Sequence, residues 1–337
     1  MKHPAPPPLR TYSHLEGGGD VPSTYDIVST RLLYYVERGF SVNVPATSWY
    51  QRYQRESPLF CREWEAFRDP RETTYTSYTQ RAALSESHLD AVAQSIDLSG
   101  HDATLTPSWL TLAGELVAPM RYVWHAFQMV AAYIGQMAPT GRITLVALFQ
   151  AGDEMRRVHR IAQRMGQLRE ANPAFGDNAR AAWQDHPAWQ PLRKAVEESL
   201  IAYDWGEAFV ALCLGLKPML DDFALGEIAH QARARGDYSL GQILDSLALD
   251  GMWHRQWAGT LVGLLLANDE GRDASPGNGI SRPSNRASID RWLGRWRAAG
   301  QEAITGLATL SPEIGHAAVA RSSERTATWL RGLGLSA

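Results

Sequence analysis

The chain has 337 residues, of which 45% are hydrophobic and 20% charged, and its formal net charge is −3. This is the composition of an ordinary globular protein. It offers no broad basic surface, so we exclude nucleic acid as a main partner. The two cysteines, Cys61 and Cys213, lie far apart in the sequence, which predicts neither a disulfide framework nor a zinc site and favours the cytoplasm.

Neither a signal peptide nor a membrane span is expected. The segment MKHPAPPPLR at the N-terminus lacks an apolar core, and the longest apolar run, Trp257 to Ala267, is about half as long as a membrane helix. We therefore expect a soluble, cytoplasmic protein. Twelve tryptophans and twelve tyrosines are typical either of a large subunit interface or of an aromatic core.

Residues 1–83 show no lasting helical period and are dense in Pro, Gly, Ser and Tyr. The segment is nevertheless too aromatic for a disordered tail. It predicts an extended, irregular N-terminal arm that lies either on another subunit or on the helices of its own chain. The aromatic side chains that need burial are Trp49, Tyr50, Tyr53, Trp64, Phe67, Tyr75 and Tyr78.

In residues 84–310, apolar residues recur at three- and four-residue spacing, which predicts a domain of long helices packed as a bundle. The predicted long helices cover about 120–137, 143–168, 191–218 and 239 onward. We place Leu200 and Tyr203 on the apolar face of the third helix, and we expect Pro218 to kink or split it. No strand-like alternation occurs, so the fold class is all-α.

Turn-forming residues interrupt the helical pattern in the last part of the chain. Residues 268–287 have the composition of a mobile surface loop. Ser288 is expected to cap a further helix. Residues 311–337 are predicted to form a C-terminal helix and tail.

A helical bundle can hold a carboxylate-bridged diiron site. Such a site needs two Glu-x-x-His motifs and a glutamate from each of two further helices. In the second helix, Glu154 is followed by Arg157 where the histidine would stand. Arginine has no free lone pair and cannot ligate iron. We expect either a buried Glu154–Arg157 pair that replaces the metal charge, or a surface pair one turn apart.

The remaining candidate ligands are incomplete. Glu207 is predicted to point inward from the third helix. His254 lies on the apolar face of the fourth helix, but Gly251 stands where the motif needs glutamate, so His254 is either a core histidine or a surviving ligand. The first long helix carries no carboxylate.

One intact Glu-x-x-His tetrapeptide, which runs from Glu227 to His230, has polar neighbours and is expected by chance in a chain of this length. Phosphate-binding glycine loops and nucleophile elbows do not occur. We therefore predict no catalytic, cofactor-binding or metal-binding residue in this chain.

Short segments spread over residues 10–300 carry a resemblance to a known family. They are RTYSHL (10–15), PSTYDIVS (22–29), WYQRY (49–53), SPL (57–59), WEAFRDP (64–70), YTSY (75–78), Arg121–Tyr122, Tyr133 with QMAP (136–139), DWGEAF (204–209), KPM (217–219) and HRQW (254–257). With them the chain resembles the β subunit of the hydroxylase of toluene, phenol and alkene monooxygenases, which are soluble multicomponent diiron enzymes. Residues 268–287 and the tail after about 310 fit this pattern poorly.

The resemblance implies a ferritin-like helical bundle and a non-catalytic role. It implies an (αβγ)₂ hydroxylase in which the α subunit holds the diiron centre and inserts one oxygen atom from O₂ into an aromatic hydrocarbon or an alkene. The implied partners are α, γ, a second copy of β, an effector protein, and a reductase or ferredoxin that supplies NADH, flavin and iron–sulfur chemistry. By this resemblance the chain itself holds no cofactor.

Two other functions stay open on the residues alone. One is a catalytically active ferritin-like diiron oxidase or ribonucleotide reductase small subunit, which needs more core carboxylates than we find. The other is a helical adaptor unrelated to oxygenases.

Overall fold

The computed structural model of the chain describes residues 15, 22–30, 44–269, 283–311 and 315–336, and within these ranges all regular structure is helical. The α-helices are α1 (Thr24–Ser29), α2 (Val44–Tyr50), α3 (Tyr75–Leu98), α4 (Pro107–Leu116), α5 (Met120–Met137), α6 (Gly141–Ala171), α7 (Ala179–Asp185), α8 (Gln190–Ser199), α9 (Trp205–Phe209), α10 (Lys217–Asp221), α11 (Ile228–Ala234), α12 (Tyr238–Ala267), α13 (Asn285–Ala308) and α14 (Gly315–Gly332). Segments of π-helix cover Gln51–Arg55, Val210–Leu216 and Asp222–Glu227, and 3-10 turns cover Trp64–Ala66, His101–Thr104 and Pro187–Trp189.

Two helical hairpins form the core bundle. The first is α5 with α6, and the second is the long helix from α9 to α11 with α12. The hairpins pack together through α5 against α9 and α6 against α12. This is the ferritin-like arrangement, so the predicted fold class is confirmed. Helices α13 and α14 cover the outer side of the second hairpin, and α3 lies along α12.

Most tryptophans belong to this core. Seven of the twelve are at most 2% exposed, namely Trp109, Trp124, Trp189, Trp205, Trp253, Trp257 and Trp296. Each large ring that leaves water contributes several kcal/mol of transfer free energy, about 25 cal/mol per Å² of apolar area. The high tryptophan count is therefore explained mainly by the core.

The predicted third helix was wrong in one respect, because it is two helices. The chain leaves α8 at Ser199 and re-enters a helix at Trp205. Asp204 caps the new helix by accepting hydrogen bonds from the amides of Gly206 (2.8 Å) and Glu207 (3.1 Å). Leu200 and Tyr203, predicted on the apolar face, lie in the break and are 37% and 39% exposed.

Pro218 does not end the helix. The π-helical segment Val210–Leu216 precedes it, and the helix continues through α10 and a second π-helical segment to Ala234. Since hydrogen bonds in a π-helix run from i to i+5, the ladder shifts before Pro218 and tolerates the missing N–H. The distortion that we expected at this proline is thus a widening of the helix instead of a split.

Further helix boundaries also differ from expectation. Helix α3 begins at Tyr75, earlier than residue 84. Ser284, and not Ser288, caps α13, because its hydroxyl accepts a hydrogen bond from the amide of Ala287 (3.0 Å), whereas Ser288 is buried inside the helix. Most of the predicted loop 268–287 lies outside the described residues.

The described parts of the N-terminal arm fold back on the helices of the same chain. Tyr25 is 2% exposed and Phe67 is fully buried. The Gln54 side chain donates hydrogen bonds to the carbonyls of Met137 (3.0 Å) and Ala138 (2.9 Å), at the end of α5. These contacts fit the second of our two alternatives for the arm, and its contact with another subunit stays a prediction. Among the described helices, none has the length and apolarity to cross a bilayer.

Helix α13 packs closely against the π-helical segment Val210–Leu216, and this close approach depends on Gly215. A Cβ placed on Gly215 would lie 2.5 Å from the Cβ and 3.2 Å from the carbonyl carbon of Trp296. We expect Gly215→Ala to lower the free energy of unfolding by about 1–3 kcal/mol, since backbone as well as side chain must move. Urea unfolding of the purified chain measures this.

The matched control is Gly263→Ala. Gly263 lies in α12, and a Cβ added there would meet no other atom within 4 Å, so alanine should be neutral or stabilise the helix by up to about 1 kcal/mol. Equal effects at the two glycines would contradict the close helix contact.

Candidate functional site

The centre of the bundle contains the ion pair predicted from α6. Arg157 Nη1 lies 3.3 Å from Glu154 Oε2, and both side chains are fully buried. Because the residues are one helical turn apart, α6 directs both toward the same interior point. The buried alternative for this pair is therefore confirmed, and the surface alternative is wrong.

Two further charges, which the sequence analysis missed, complete the cluster. Lys217 Nζ lies 3.0 Å from Glu154 Oε1 and 2.6 Å from Asp221 Oδ2. Arg157 donates to Asp221 through Nη1 (2.7 Å) and Nη2 (3.2 Å). These four residues, Glu154, Arg157, Lys217 and Asp221, are called the ion cluster below. Their formal charges sum to zero, so each buried charge faces opposite ones.

The cluster shifts the pKa values of Asp221 and Arg157. Burial alone would raise the pKa of Asp221, but the facing charges of Arg157 and Lys217 outweigh it and hold that pKa at about 2. Burial alone would lower the pKa of Arg157, but the carboxylates of Asp221 and Glu154 raise it above its ordinary value. The charged forms of Asp221 and Arg157 are thus the stable ones at neutral pH.

A second, neutral chain of hydrogen bonds adjoins the cluster. His254 Nε2 lies 3.0 Å from Asp153 Oδ2, and the Tyr78 hydroxyl donates to Asp153 Oδ1 at 3.0 Å. Burial, reinforced by the charge of Asp250, raises the pKa of Asp153 well above its ordinary value. Burial, with the charges of Lys217 and Arg157, lowers the pKa of His254 well below its ordinary value. Both groups therefore favour their neutral forms, and one hydrogen bond joins them.

Gly251 has no side chain, and Asp221 and Arg157 of the ion cluster occupy the space beside it. A Cβ at this position would lie 2.8 Å from Asp221 Oδ2 and 3.3 Å from Arg157 Nη2. The guanidinium–carboxylate pair therefore occupies the region into which a glutamate of a Glu-x-x-His motif would extend from α12. His254, three residues on, is 3% exposed, as expected of a core histidine.

Glu207 does not belong to this site, and its predicted inward position was wrong. It is half-buried at the edge of the bundle, where its carboxylate pairs with Arg295 of α13 at 3.2 Å. The register that pointed it inward was counted from Leu200 and Tyr203, which lie before the helix begins. The D-x-x-E pattern at Asp204 is a capping signal that could have placed the helix start correctly.

The intact Glu-x-x-His tetrapeptide from Glu227 to His230 also lies apart from the ion cluster. Glu227 is 8% exposed and is held by Arg321 (2.6 Å) and Arg325 (2.7 Å) of α14, while His230 is exposed. The pair of arginines uses both carboxylate oxygens of Glu227.

The residues at the bundle centre do not fit a carboxylate-bridged diiron centre. Arg157 and Lys217 are protonated donors without a lone pair, and they occupy the carboxylate oxygens that a metal would need. In the part of the chain that the structure describes, no group of three or more His, Cys, Asp or Glu side chains has the spacing to hold a metal ion.

Comparison with known proteins identifies the family. The model of the methane/phenol/alkene hydroxylase family matches residues 49–269. The chain belongs to this family. It is 33% identical over 315 residues to the hydroxylase component subunit beta of the toluene-4-monooxygenase system of Ectopseudomonas mendocina, covering 91% of this chain and 92% of that protein. The family predicted from short sequence segments is thereby confirmed.

Two other similarities agree with this assignment. The propane 2-monooxygenase hydroxylase small subunit of Mycolicibacterium goodii is 28% identical, over 69% of this chain and 61% of that subunit. A solved structure of toluene 4-monooxygenase, with toluene bound in its resting active site, superposes with a TM-score of 0.80 at 31% identity, covering 91% of this chain and 99% of the matched one. The fold of the hydroxylase family thus extends over nearly the whole chain.

Removing one charge from the ion cluster should destabilise the folded chain. Arg157→Ala would leave Glu154 and Asp221 facing each other with one cation, so we expect the free energy of unfolding to fall by about 3–5 kcal/mol. Denaturant unfolding measures the loss. Arg331→Ala is the control, because Arg331 pairs with Glu324 on the surface with both side chains more than half exposed, and such pairs contribute about 0–1 kcal/mol. Equal losses in the two variants would refute a special role for the buried pair.

The contribution of Lys217 should depend on pH. Asp221 has a folded pKa of about 2, below its ordinary 3.8, so its stabilisation is complete above about pH 4 and is lost as the pH falls toward 2. We therefore expect the stability difference between wild type and Lys217→Met to be largest near neutral pH and to shrink on acidification. Urea unfolding between pH 7 and pH 3 tests this.

The control for that series is Lys194→Met, an equivalent change at an exposed position of α8. Its stability difference from wild type should stay small at every pH. A Lys217→Met difference that is constant over the same range would show that the carboxylate of Asp221 does not depend on Lys217.

Proposed function

We propose that the chain is the non-catalytic β subunit of the (αβγ)₂ hydroxylase of a multicomponent diiron monooxygenase. The complex would insert one oxygen atom from O₂ into a hydrocarbon. This chain would scaffold the dimer and support the subunit that bears the iron. The assignment is supported by family membership and by a relative, similar over nearly its whole length, that is itself a hydroxylase β subunit.

The ion cluster is the single observation that carries the non-catalytic part of the proposal. In a working diiron protein the bundle centre supplies carboxylates and imidazoles to the metals. Here Arg157 and Lys217 neutralise Glu154 and Asp221 in the same region. Fixed cations cannot bind O₂ or change oxidation state, so oxidative chemistry would have to take place in another subunit.

The cofactors and partners follow from this division of roles. The diiron centre would lie in α, and NADH, flavin and iron–sulfur groups in the reductase and ferredoxin. An effector protein and the γ subunit would complete the assembly, which we place in the cytoplasm. Both cysteines of this chain are free and buried, as suits a reducing compartment.

For the substrate we propose an aromatic hydrocarbon such as toluene or phenol, or an alkene. The relative that matches over 91% of the chain comes from a toluene-4-monooxygenase system. The propane 2-monooxygenase subunit matches a smaller share, 69%. Since substrate contacts would lie in α, this preference rests on relatedness alone.

An exposed aromatic patch is a candidate contact for α. It consists of Trp49, Tyr53 and Tyr203, whose ring centroids lie 4.6–5.5 Å apart. Trp49 and Tyr203 remain 38% and 39% exposed. Clustered, partly exposed Trp and Tyr rings are typical of the centres of protein interfaces.

The proposed function is tested by expressing the chain alone and together with the large hydroxylase subunit of the same organism. We expect a stable complex that contains iron and, with the electron-transfer components, hydroxylates toluene in the presence of NADH. The chain purified alone should carry no stoichiometric iron. Iron analysis, optical spectra and product detection give the readouts.

Two results would contradict the proposal. Stoichiometric iron with the optical bands of an oxo-bridged pair in the isolated chain would make it an active diiron oxidase. A stable monomer that never co-purifies with the large subunit would favour an unrelated helical adaptor.

The aromatic patch gives a more local prediction. Tyr203→Ser should weaken binding of the large subunit by about tenfold or more, as expected for a central aromatic contact. Tyr75→Ser is the matched control, because Tyr75 is 75% exposed at the start of α3 and lies outside the patch. Affinity is measured by titration of labelled subunit. Unchanged affinity in the Tyr203 variant would remove the patch from the interface.

A further inference from the structure

A groove of about 690 Å³ lies between α12, α14 and the helix that runs from α10 to α11, and is called the α12–α14 groove below. Asp221 borders it, but the charge of this residue is balanced within the ion cluster. His230 also belongs to the lining. The volume lies in the range of small-molecule sites, which are mostly apolar with a few polar groups. The uncharged part of the lining consists of Leu225, Gly226, Ala248, Gly251 and Met252.

Three arginines line the same groove, Arg255 from α12 and the pair Arg321 and Arg325 from α14. Both arginines of α14 contact Glu227, at 2.6 Å and 2.7 Å, and Arg255 lies 2.9 Å from Asp222. Three positive charges therefore face two negative ones. The α12–α14 groove carries a surplus of one positive charge.

The cations of this groove are more exposed than its carboxylates. The side chains of Arg321 and Arg325 are 54% and 45% exposed, whereas those of Glu227 and Asp222 are 10% and 15% exposed. The Nη1 groups of all three arginines make no hydrogen bond to the described residues. Guanidinium N–H groups bind carboxylates through short, charge-assisted hydrogen bonds. The groove thus presents unused donors and positive charge to solvent, beside an apolar wall.

We propose that the α12–α14 groove binds an organic monoanion, namely a carboxylate carried on an apolar chain or ring. The apolar body packs on the uncharged lining, and the carboxylate accepts hydrogen bonds from Arg321 and Arg325. A single negative charge matches the surplus of one positive charge. Because the lining comes from both α12 and α14, the ligand joins the C-terminal helix to the bundle. The inference does not depend on the proposed hydroxylase function.

The experiment measures binding of labelled octanoate to the full-length chain by equilibrium dialysis. Octylammonium has a chain of equal length with the opposite charge, and acetate has the carboxylate without the chain. We expect each to displace octanoate at least about tenfold more weakly than octanoate itself, since a charge-assisted hydrogen bond, or burial of roughly two methylene groups, is worth a factor of this size. Failure of octanoate to bind, or equal displacement by octylammonium or acetate, would overturn the proposal.

A first pair of variants tests the headgroup contact. Arg321→Gln combined with Arg325→Gln should weaken octanoate binding by about tenfold or more, because both charged donors are lost. Arg331→Gln is the control, since Arg331 lies on the same helix but pairs with Glu324 outside the groove, and its affinity should equal that of wild type. Equal affinities of the double variant and the control would place octanoate elsewhere and refute the site.

A second pair tests the apolar wall and leaves every ion pair intact. Ala248→Phe fills the groove and should abolish octanoate binding, whereas Ala162→Phe, at an exposed position of α6, should not change it. Helical circular dichroism shows whether each variant is folded. Should the double arginine variant unfold because Glu227 has lost its partners, the phenylalanine pair decides. Octanoate binding that survives in folded Ala248→Phe would contradict the proposal.

Discussion

The structure depends on the mutual neutralisation of charges that are buried together. Glu154 and Arg157 come from α6, Lys217 and Asp221 come from α10, and Arg157 also reaches the carbonyl of Leu247 on α12 at 3.4 Å. Each of these charges would destabilise the bundle if left alone, because transfer of one unpaired ion out of water costs several kcal/mol. Paired, they join three helices at one point, and none of them can be removed without leaving an opposite charge exposed to an apolar interior.

This arrangement explains how a ferritin-like bundle can persist without metal. In a metal-binding bundle, the repulsion between inward carboxylates is relieved by the bound ions. Here the relieving cations are side chains, which are always present and need no loading step. These side-chain cations cannot replace the chemistry of a metal, since an ammonium or guanidinium can neither ligate O₂ nor exchange electrons.

The irregular helix from Trp205 to Ala234 makes the cluster possible. The π-helical segments on either side of α10 widen the helix around Lys217 and Asp221, and both side chains turn inward. On the opposite side, Gly215 allows α13 to approach the backbone closely. The buried tryptophans fill the remaining space, whereas the rings of Trp49 and Tyr203 stay partly exposed.

Local patterns in the sequence were enough to predict α5, α6, α12 and the family. For the Glu154–Arg157 pair and for His254 they left two alternatives each. These features depend on spacings within one helix or on short continuous segments. The tertiary structure alone decided that Arg157 faces Asp221, that Lys217 is a core residue, and that Glu207 faces Arg295. The reason is geometric. The break capped by Asp204 interrupts the helical register, and each added residue in a π-turn rotates all later side chains by about 100° relative to a regular helix. The direction of a side chain beyond them therefore cannot be counted from the sequence.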